Sequence, residues 1–146
     1  MKIELRKSKK SELSIISRIY VEEFSKYPYN ESWSSKKARD KFNFYYKYYD
    51  IYTIFYEKEI VGLIVLNPNF MCPREVVYGE EMAISSNFQN KGIGTQVVKE
   101  IFKIYKNKGF KRFLGIVNKK GNSIKMFKKL NVKPSKIDIL IEKEFK

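Results

Sequence analysis

The chain has 146 residues, the size of one domain and long enough to bury a substantial core. Its formal charge is +14, from 30 Lys and Arg against 16 Asp and Glu, yet 43% of the residues are apolar, which excludes a disordered basic tail. It has no histidine and one cysteine, Cys72, which excludes Ser-His-Asp and Cys-His hydrolysis, histidine-ligated zinc, histidine phosphotransfer and an internal disulfide. We therefore expect a single domain over residues 1–146 without a metal site, which either resides in a reducing compartment or does not depend on redox conditions.

The first ten residues are basic, but no apolar segment follows them, so they do not resemble a signal peptide. The longest apolar run, Ile60 to Leu66, is far shorter than the roughly 20 residues that span a bilayer. We expect a soluble, cytoplasmic protein with no membrane partner.

The first half of the chain predicts a strand, two helices and a hairpin. Residues 3–6 alternate apolar and charged side chains as in a short strand, and a helix of apolar periodicity follows. Ser34 or Ser35 can cap a second helix. Two β-branched and aromatic runs, Ile51–Tyr56 and Ile60–Leu66, flank three charged residues and predict the hairpin. The residues expected on buried helix faces are Leu13, Ile15, Ile16, Ile19, Tyr20 and Phe24 in the first helix and Ala38, Phe42, Tyr45, Tyr46 and Tyr49 in the second.

The second half predicts three strands and two helices. Val76–Ile84 is typical of a strand, and an amphipathic helix begins near Ile93 and ends before Gly109. A buried strand, Phe113–Val117, follows, and Asn122 can cap a short helix after it. The resulting order, closed by a strand of alternating isoleucines, is β-α-α-β-β-β-α-β-α-β and predicts a mixed α/β sheet covered by helices. The short helix is expected to turn Met126, Phe127 and Leu130 inward, and the closing strand contains Ile137, Ile139 and Ile141.

The stretch Gln89-Asn-Lys-Gly-Ile-Gly-Thr95 lies between a predicted strand and a predicted helix. Gly92 and Gly94 allow the backbone to approach an anion closely, and the free N–H groups and dipole of the helix favour one there. The P-loop pattern is absent, and a dinucleotide fingerprint would need a third glycine where Val97 stands. A phosphate-binding turn is one interpretation, and a tight strand-to-helix turn that binds nothing is the other.

Gln89-Asn-Lys-Gly-Ile-Gly94 resembles the Q/R-x-x-G-x-G/A pyrophosphate loop of the GNAT superfamily of acetyl-CoA-dependent N-acetyltransferases. Ser123–Val132 is similar, less closely, to the superfamily's A-x-x-x-Y-x-K-x-G-F segment, and the predicted element order is similar to its fold. The resemblance covers nearly the whole chain and implies a mostly antiparallel sheet with acetyl-CoA as cosubstrate. It implies that Gln89, Asn90, Lys91, Gly92, Ile93, Gly94 and Thr95 hold the pyrophosphate and that the backbone of Met82, Ala83 and Ile84 meets the pantetheine arm.

The second motif departs from the family pattern. Phe127 stands where the family frequently has a tyrosine that protonates the departing CoA thiolate, and a phenyl ring has no such proton. Lys120 replaces a frequent asparagine, for which Asn118 or Asn122 can substitute. Because a CoA thiol has a pKa of about 8.5, water or another tyrosine can protonate the thiolate near neutral pH. Asn122 and Phe127 are the residues of this segment that we expect beside the cofactor.

Acetyl transfer to an amine needs a base that removes the ammonium proton, and without histidine that base must be a carboxylate. Glu80 and Glu81 stand at the end of the strand stretch assigned to the pantetheine. Neighbours on a strand face opposite sides, so at most one of them points into the cleft unless a bulge intervenes. The resemblance of Glu81-Met-Ala-Ile84 to the E-M-x-V of one bacterial subgroup favours Glu81, and a solvated strand-end charge is the alternative for both.

The segment between the first two helices lies where the superfamily builds its acceptor site. Asn30-Glu31-Ser32-Trp33 resembles an N-E-x-W stretch of the same subgroup. Tyr29 and Trp33 are expected to wall a substrate pocket while Glu31 attracts a cationic amine, and a hydrophobic staple ahead of the Ser34 cap is the alternative. Cys72 is expected to be an ordinary loop or strand residue, since nothing beside it in sequence would lower its pKa.

The leading interpretation is an acetyl-CoA-dependent N-acetyltransferase that acts by direct attack of a small-molecule or protein amine. A second class is a nucleic-acid or ribosome-binding module, based on the +14 charge and the lysine clusters within residues 103–112 and 119–129, although no recognised RNA-binding motif accompanies them. A third is a CoA-binding regulator on the same fold that lacks catalysis. Acceptor identity and oligomeric state do not follow from the sequence.

Overall fold

Five strands form one sheet that carries four helices, and the computed structural model describes residues 2–146. The elements are β1 (Ile3–Lys7), α1 (Leu13–Phe24), α2 (Ser35–Tyr48), β2 (Asp50–Tyr56), β3 (Glu59–Asn67), β4 (Val76–Ile84), α3 (Ile93–Asn107), β5 (Arg112–Gly115) and α4 (Ser123–Lys129), with 3₁₀ turns at Lys10–Glu12 and Ser86–Phe88. The strands pair in the order β1-β2-β3-β4-β5; the first four are antiparallel and β5 is parallel to β4. This confirms the mixed, mostly antiparallel α/β fold.

Local sequence signals set several of the element boundaries. The Ser34 hydroxyl oxygen accepts a hydrogen bond from the backbone N–H of Lys37 at 3.1 Å and caps α2. Gly109 follows the end of α3 with φ 93°, in the left-handed region that glycine tolerates. Glu57 and Lys58 have φ of 48° and 71° and form the tight β2–β3 turn. These three predictions are confirmed.

Helices cover both faces of the sheet and bury a separate apolar cluster on each. α1 and α2 pack on one face, where the cluster includes Tyr20, Phe42, Tyr45, Leu63 and Ala83. α3 packs on the other face, where the cluster includes Ile54, Ile64, Ile93, Val97 and Ile101. The predicted core is wrong at Ile15 and Tyr46, each 40% exposed, because each lies at the solvent-facing edge of its helix.

β4 is paired differently on its two sides. On the β3 side the register passes from Leu66 opposite Gly79 to Val65 opposite Glu81, so Glu80 is the extra residue of a β-bulge. On the β5 side the pairing covers only Val76–Gly79. Within residues 2–146, the β4 edge from Glu80 to Ile84 therefore has no strand partner on that side.

The predicted closing strand is wrong. No strand follows α4 in residues 2–146, and Ile137, Ile139 and Ile141 are 76%, 86% and 84% exposed. The backbone N–H groups of Ile137 and Asp138 instead donate to the Ser135 hydroxyl at 3.3 and 3.1 Å, which makes a local turn. An alternating pattern becomes a strand only where a neighbouring edge supplies hydrogen bonds, and β5 offers four residues.

The predicted buried strand over residues 113–117 is also partly wrong. β5 ends at Gly115, and the next two side chains, Ile116 and Val117, are 59% and 37% exposed. α4 begins after Asn122 as expected, but the Asn122 side chain makes no capping hydrogen bond. The inward residues Met126, Phe127 and Leu130 are half-buried.

No helix in the described part of the chain, residues 2–146, combines the length and the apolar character needed to cross a membrane.

Candidate active site

A cavity of about 730 Å³ lies between β4, α3 and α4, beside the loop that follows α1. Its volume is in the range of small-molecule sites, which is roughly 300–1,000 Å³. The sheet contributes the stretch Met82–Ile84, which is the edge of β4 that β5 leaves unpaired. Such an edge presents backbone N–H and C=O groups that can pair with an extended amide chain as a neighbouring strand would.

The N-terminus of α3 opens into the same cavity. Gly92, the residue before the helix, has φ 80°, which is the left-handed conformation that glycine adopts at low cost. The first intrahelical bond runs from the Gln96 N–H to the Gly92 carbonyl at 3.1 Å. The N–H groups of Ile93, Gly94 and Thr95 therefore precede the first helical acceptor, and an anion in the cavity can accept from them.

Gly94 allows α3 to approach two other elements around the cavity. A Cβ at this position would lie 3.1 Å from the Met126 sulfur and 3.4 Å from the terminal carbons of both Ile84 and Met82. A side chain at position 94 would therefore displace its neighbours or enter the cavity. The glycine that the sequence motif requires is explained here by close packing as well as by backbone access.

Cationic side chains give the cavity its charge. Lys120, Lys125 and Lys129 line it on the α4 side and Lys26 on the α1 side, while Glu23 is the one carboxylate in the lining. A concave surface with this excess of positive charge attracts an anion. Lys129 stands at the lysine position of the second motif, and Lys120, Lys125 and Lys129 belong to the lysine cluster of residues 119–129, whereas no sequence signal identified Lys26.

A polar network fixes the turn that precedes α3. The Gln89 side-chain amide donates to Glu23 Oε1 at 2.8 Å and to the Ile84 carbonyl at 2.7 Å. The Ser86 hydroxyl also donates to Glu23 at 2.7 Å, and the Lys26 ammonium lies 3.1 Å from the same carboxylate. Gln89 therefore anchors the turn to α1 and β4 through its side chain. No local sequence signal could have paired it with Glu23, which stands 66 positions earlier.

Glu81 lies on the α1 and α2 face of β4, beside Tyr20 and Tyr45. Burial raises the pKa of its carboxyl to about 7; the Tyr20 hydroxyl and Lys41 lower it, while Glu31 and Glu80 raise it. Its Oε2 is buried and has no hydrogen-bond partner among residues 2–146. A carboxyl that titrates near neutral pH with one uncommitted oxygen suits a general base.

The bulge at Glu80 brings a second carboxylate toward the same helices. Burial raises the pKa of Tyr45, and Glu81 and then Glu80 raise it further; the pKa of Tyr49 is raised by burial and by Glu80. Glu80 itself accepts a hydrogen bond from the Asn67 side-chain amide at 3.3 Å. The two adjacent carboxylates thus both raise the pKa of Tyr45 on α2, which is the exception to strand alternation that a bulge permits.

The predicted acceptor residues divide between two places. Trp33 packs edge-on against Tyr20 with ring centroids 5.0 Å apart, and its indole N–H donates to Glu31 Oε1 at 2.8 Å. This pair lies on the Glu81 side, since Glu31 raises the Glu81 pKa. Tyr29 instead lines the 730 Å³ cavity, with its ring 4.5 Å from Phe24.

The structure therefore brings most of the predicted cofactor residues to one cavity. Lys91 lies over the Phe88 ring at 5.6 Å, and Phe127 stacks on Phe113 at 6.0 Å; neither lines the cavity. Glu31, Trp33 and the two strand glutamates also lie outside its lining. The predicted residues that line it are Met82, Ala83, Ile84, Gln89, Asn90, Gly92, Ile93, Gly94, Thr95 and Asn122, together with Tyr29.

Residues 2–146 contain no group of three or more His, Cys, Asp or Glu side chains that could hold a metal ion.

Comparison with known proteins identifies the family and the fold. The profile of the acetyltransferase (GNAT) family matches residues 13–131. Among solved structures, the fold is similar to a possible acetyltransferase from Clostridium difficile 630, with a TM-score of 0.82, 12% identity and complete coverage of both chains. It is also similar to AAC(6')-Iy in complex with a bisubstrate analog, CoA-S-monomethyl-acetylneamine, with a TM-score of 0.75, 13% identity and coverage of 99% of this chain and 100% of the other.

A third similar structure is an acetyltransferase from Trypanosoma brucei, with a TM-score of 0.69, 17% identity and coverage of 97% of this chain and 99% of the other. A search of curated protein sequences gave no match. At these identities the structures show a shared fold, while the family profile spans most of the chain. The chain belongs to the GNAT family of acetyltransferases.

Proposed function

We propose that this protein is an N-acetyltransferase that moves the acetyl group of acetyl-CoA to a primary amine by direct attack. The observation that carries the proposal is the cavity in which the unpaired β4 edge, Met82–Ile84, meets the N-terminus of α3. Acetyl-CoA combines an extended amide chain with a pyrophosphate, and these two walls suit those two chemistries.

The residues present fit this cosubstrate. The backbone of Met82–Ile84 would pair with the pantetheine amides, and the turn from Asn90 to Thr95 would hold the pyrophosphate. Lys120, Lys125 and Lys129 would neutralise phosphate charge from the α4 side. Bound acetyl-CoA would supply the activated acetyl thioester, and the protein would supply position, charge and a base.

Glu81 is the proposed base. Its carboxyl lies on β4 one residue from the cavity-lining Met82, and burial raises its pKa to about 7. In its deprotonated form, Glu81 takes a proton from the acceptor ammonium, directly or through water, so that the amine has a free electron pair for attack. Glu80 is the second candidate, since the bulge places its charge near Tyr45, which Glu81 also approaches.

A covalent relay through the protein has no support in the cavity. Cys72 is exposed in the loop between β3 and β4 and does not line the cavity. Attack by the acceptor amine on the thioester therefore explains the site without an acyl-enzyme.

The acceptor that we propose is a small molecule that carries cationic amino groups. Glu31, Glu80 and Glu81 form an acidic region in a chain whose net charge is +14, and Trp33 adds an aromatic surface that favours cations. A structure of similar fold, AAC(6')-Iy, is bound to a CoA conjugate of an acetylated neamine. Amino sugars and polyamines are therefore the first acceptors to test, and protein amines are the alternative.

The test combines binding with turnover. Calorimetry of acetyl-CoA measures the cofactor site, and a free-thiol reagent measures acetyl transfer across amino sugars, polyamines and peptides. We expect binding and turnover by the wild type, and Glu81→Gln should retain binding but lose about 10²–10⁴-fold in rate. Glu142→Gln, which changes an exposed carboxylate of the C-terminal tail, is the matched control.

Two outcomes would contradict the proposal. Absence of acetyl-CoA binding would remove the cofactor assignment altogether. Tight binding with no thiol release from any acceptor would favour the CoA-binding regulator. The cytoplasmic location expected from the sequence stays a prediction.

A further inference from the structure

In this chain, the segment that carries a tyrosine in the family pattern offers no proton donor to the sulfur of CoA. Phe127 occupies that position, and its ring stacks on Phe113 with centroids 6.0 Å apart and an interplanar angle of 24°. Phe127 does not line the cavity. A protein donor to the sulfur, as opposed to water, would come from another element that lines the same cavity.

Tyr29 lines the cavity from the loop that follows α1. It lies in the loop between α1 and α2 and lines the cavity together with Met82–Ile84 and Asn122. Its ring rests on Phe24 at 4.5 Å, which holds the side chain from the α1 side. The residue is half-buried.

The hydroxyl of Tyr29 lies against Gly121, at the approach to α4. A Cβ built on Gly121 would stand 2.7 Å from this oxygen, closer than real Cβ atoms come to a neighbour, and Gly121 is buried. Only a residue without a side chain allows the hydroxyl this position. The loop after α1 and the loop before α4 therefore meet at the cavity through one tyrosine oxygen.

The other tyrosines are less suited to reach a cofactor sulfur. Tyr20 and Tyr45 are buried in the core beside Glu81, and burial raises the pKa of both hydroxyls. Tyr78 stacks on Phe70 at 4.2 Å and does not line the cavity. Tyr27 lines the cavity but is 71% exposed.

We propose that Tyr29 is the catalytic acid of this enzyme, donating a proton from its hydroxyl to the sulfur of CoA. This proposal rests on the proposed acetyl transfer. When the amine nitrogen bonds to the carbonyl carbon and the carbon–sulfur bond breaks, the sulfur keeps the electron pair and receives the Tyr29 proton. The ammonium gives one proton to Glu81 before attack, and the nitrogen gives a second to water after it bonds to the carbonyl carbon. The phenolate left on Tyr29 regains a proton from water and Glu81 returns its proton to water, so the products are an acetamide, a CoA thiol and one released proton.

A binding experiment tests the contact without using turnover. Calorimetry compares the affinity of CoA with that of desulfo-CoA, in which hydrogen replaces the thiol, for the wild type and for Tyr29→Phe. If Tyr29 bonds to the sulfur, the wild type should prefer CoA by about 2–10-fold, the usual strength of one hydrogen bond. Tyr29→Phe should lose that preference while its affinity for desulfo-CoA stays unchanged.

Gly121→Ala is a second variant, which should disturb the contact between the Tyr29 hydroxyl and the CoA sulfur without changing Tyr29 itself. Its methyl group would lie 2.7 Å from the Tyr29 hydroxyl and force it to move, so the preference for CoA over desulfo-CoA should fall as it does in Tyr29→Phe. Tyr48→Phe is the matched control, since Tyr48 is 56% exposed on α2 and does not line the cavity. Circular dichroism of each variant checks that the fold persists.

Kinetics then separate an acid from a binding contact. Tyr29→Phe should lower kcat by about 10–100-fold with acetyl-CoA, and the loss should shrink with an acetyl donor whose thiol is more acidic, because that thiolate needs no proton to leave. An equal preference for CoA in wild type and Tyr29→Phe, or a loss in kcat that is the same for both donors, would overturn the assignment. Failure of the wild type to bind CoA at all would instead contradict the proposed function.

Discussion

The side-chain amide of Gln89 and the carboxylate of Glu23 lie 2.8 Å apart and join the turn before α3 to the end of α1. The same amide also donates to the Ile84 carbonyl at the end of β4. One side chain thus holds three elements at the cavity. Because the loop after α1 also carries Tyr29, the Gln89 contact sets the position of both the phosphate turn and the residues opposite it.

Gln89→Ala should weaken acetyl-CoA binding by about 3–10-fold, because two hydrogen bonds that orient the turn are lost. The charge of Glu23 stays balanced by Lys26, so we expect a smaller effect from electrostatics than from loss of orientation. Calorimetry measures the affinity, and Gln96→Ala, at an exposed position of α3, is the control. Equal affinity of Gln89→Ala and the control for acetyl-CoA would show that the turn keeps its conformation without the Gln89 side-chain hydrogen bonds.

Gly94→Leu should block the cofactor site. The Cβ would contact the Met126 sulfur at 3.1 Å, and the rest of the side chain must enter the cavity or push α4 away. We expect at least about a tenfold loss of acetyl-CoA affinity and a stability loss of about 1–3 kcal/mol, as for other overpacked sites. Calorimetry and thermal melting give the two values. Gln96→Leu, which does not face the lining, should retain its affinity.

Ile139→Ser should change the free energy of unfolding by less than about 0.5 kcal/mol, because this side chain is 86% exposed. Ile101→Ser, at a core position 1% exposed, should cost more than about 3 kcal/mol. Urea unfolding compares the two variants. A large loss in Ile139→Ser would mean that the isoleucines of the tail pack as the strand that their alternation predicts.

The contrast between the tail and β4 shows what a sequence pattern determines. Strong periodicity with a local terminator was sufficient for α3, which ends before Gly109 as predicted. The register shift at Glu80 was not predictable, because it depends on how β4 aligns with β3, and neither strand marks it locally. The isoleucine alternation failed for the same reason, since pairing requires a partner edge elsewhere in the chain.

The features of the candidate site also differ in whether they could be predicted from the sequence. The Gly92 and Gly94 turn could be predicted because glycine at these positions serves the backbone of one short segment. Contacts such as Gln89 with Glu23, or Tyr29 with Gly121, join residues that are remote in sequence. These contacts form only through tertiary packing, so no local sequence motif predicts them.

Lys125→Gln combined with Lys129→Gln should weaken acetyl-CoA binding by about tenfold at low salt and by less at high salt, because both lysines line the cavity and their attraction to phosphate is screened. Wild-type affinity should also fall as salt rises. Binding of generic RNA or DNA, measured by fluorescence anisotropy, should be weak at physiological salt. Tight, sequence-selective RNA binding that acetyl-CoA does not displace would favour the nucleic-acid or ribosome-binding module.

Glu81→Gln should remove a pH dependence of stability between about pH 4.5 and 7. Burial raises the folded-state pKa of Glu81 to about 7 from an ordinary value of 4.5, so between these values the folded chain holds a proton that the unfolded chain has lost. The free energy of unfolding therefore decreases as pH rises through this window, by at most about 3 kcal/mol, and the penalty is complete above pH 7. Urea unfolding at pH 5 and pH 8 should show this decrease in the wild type and a smaller one in Glu81→Gln, while Glu142→Gln should match the wild type.

The acetylation rate should move in the opposite direction, rising through about pH 7 as Glu81 becomes a free base. A wild-type stability that changes with pH as in Glu81→Gln would show that the carboxyl titrates as an ordinary exposed group, and its assignment as the base would then fail.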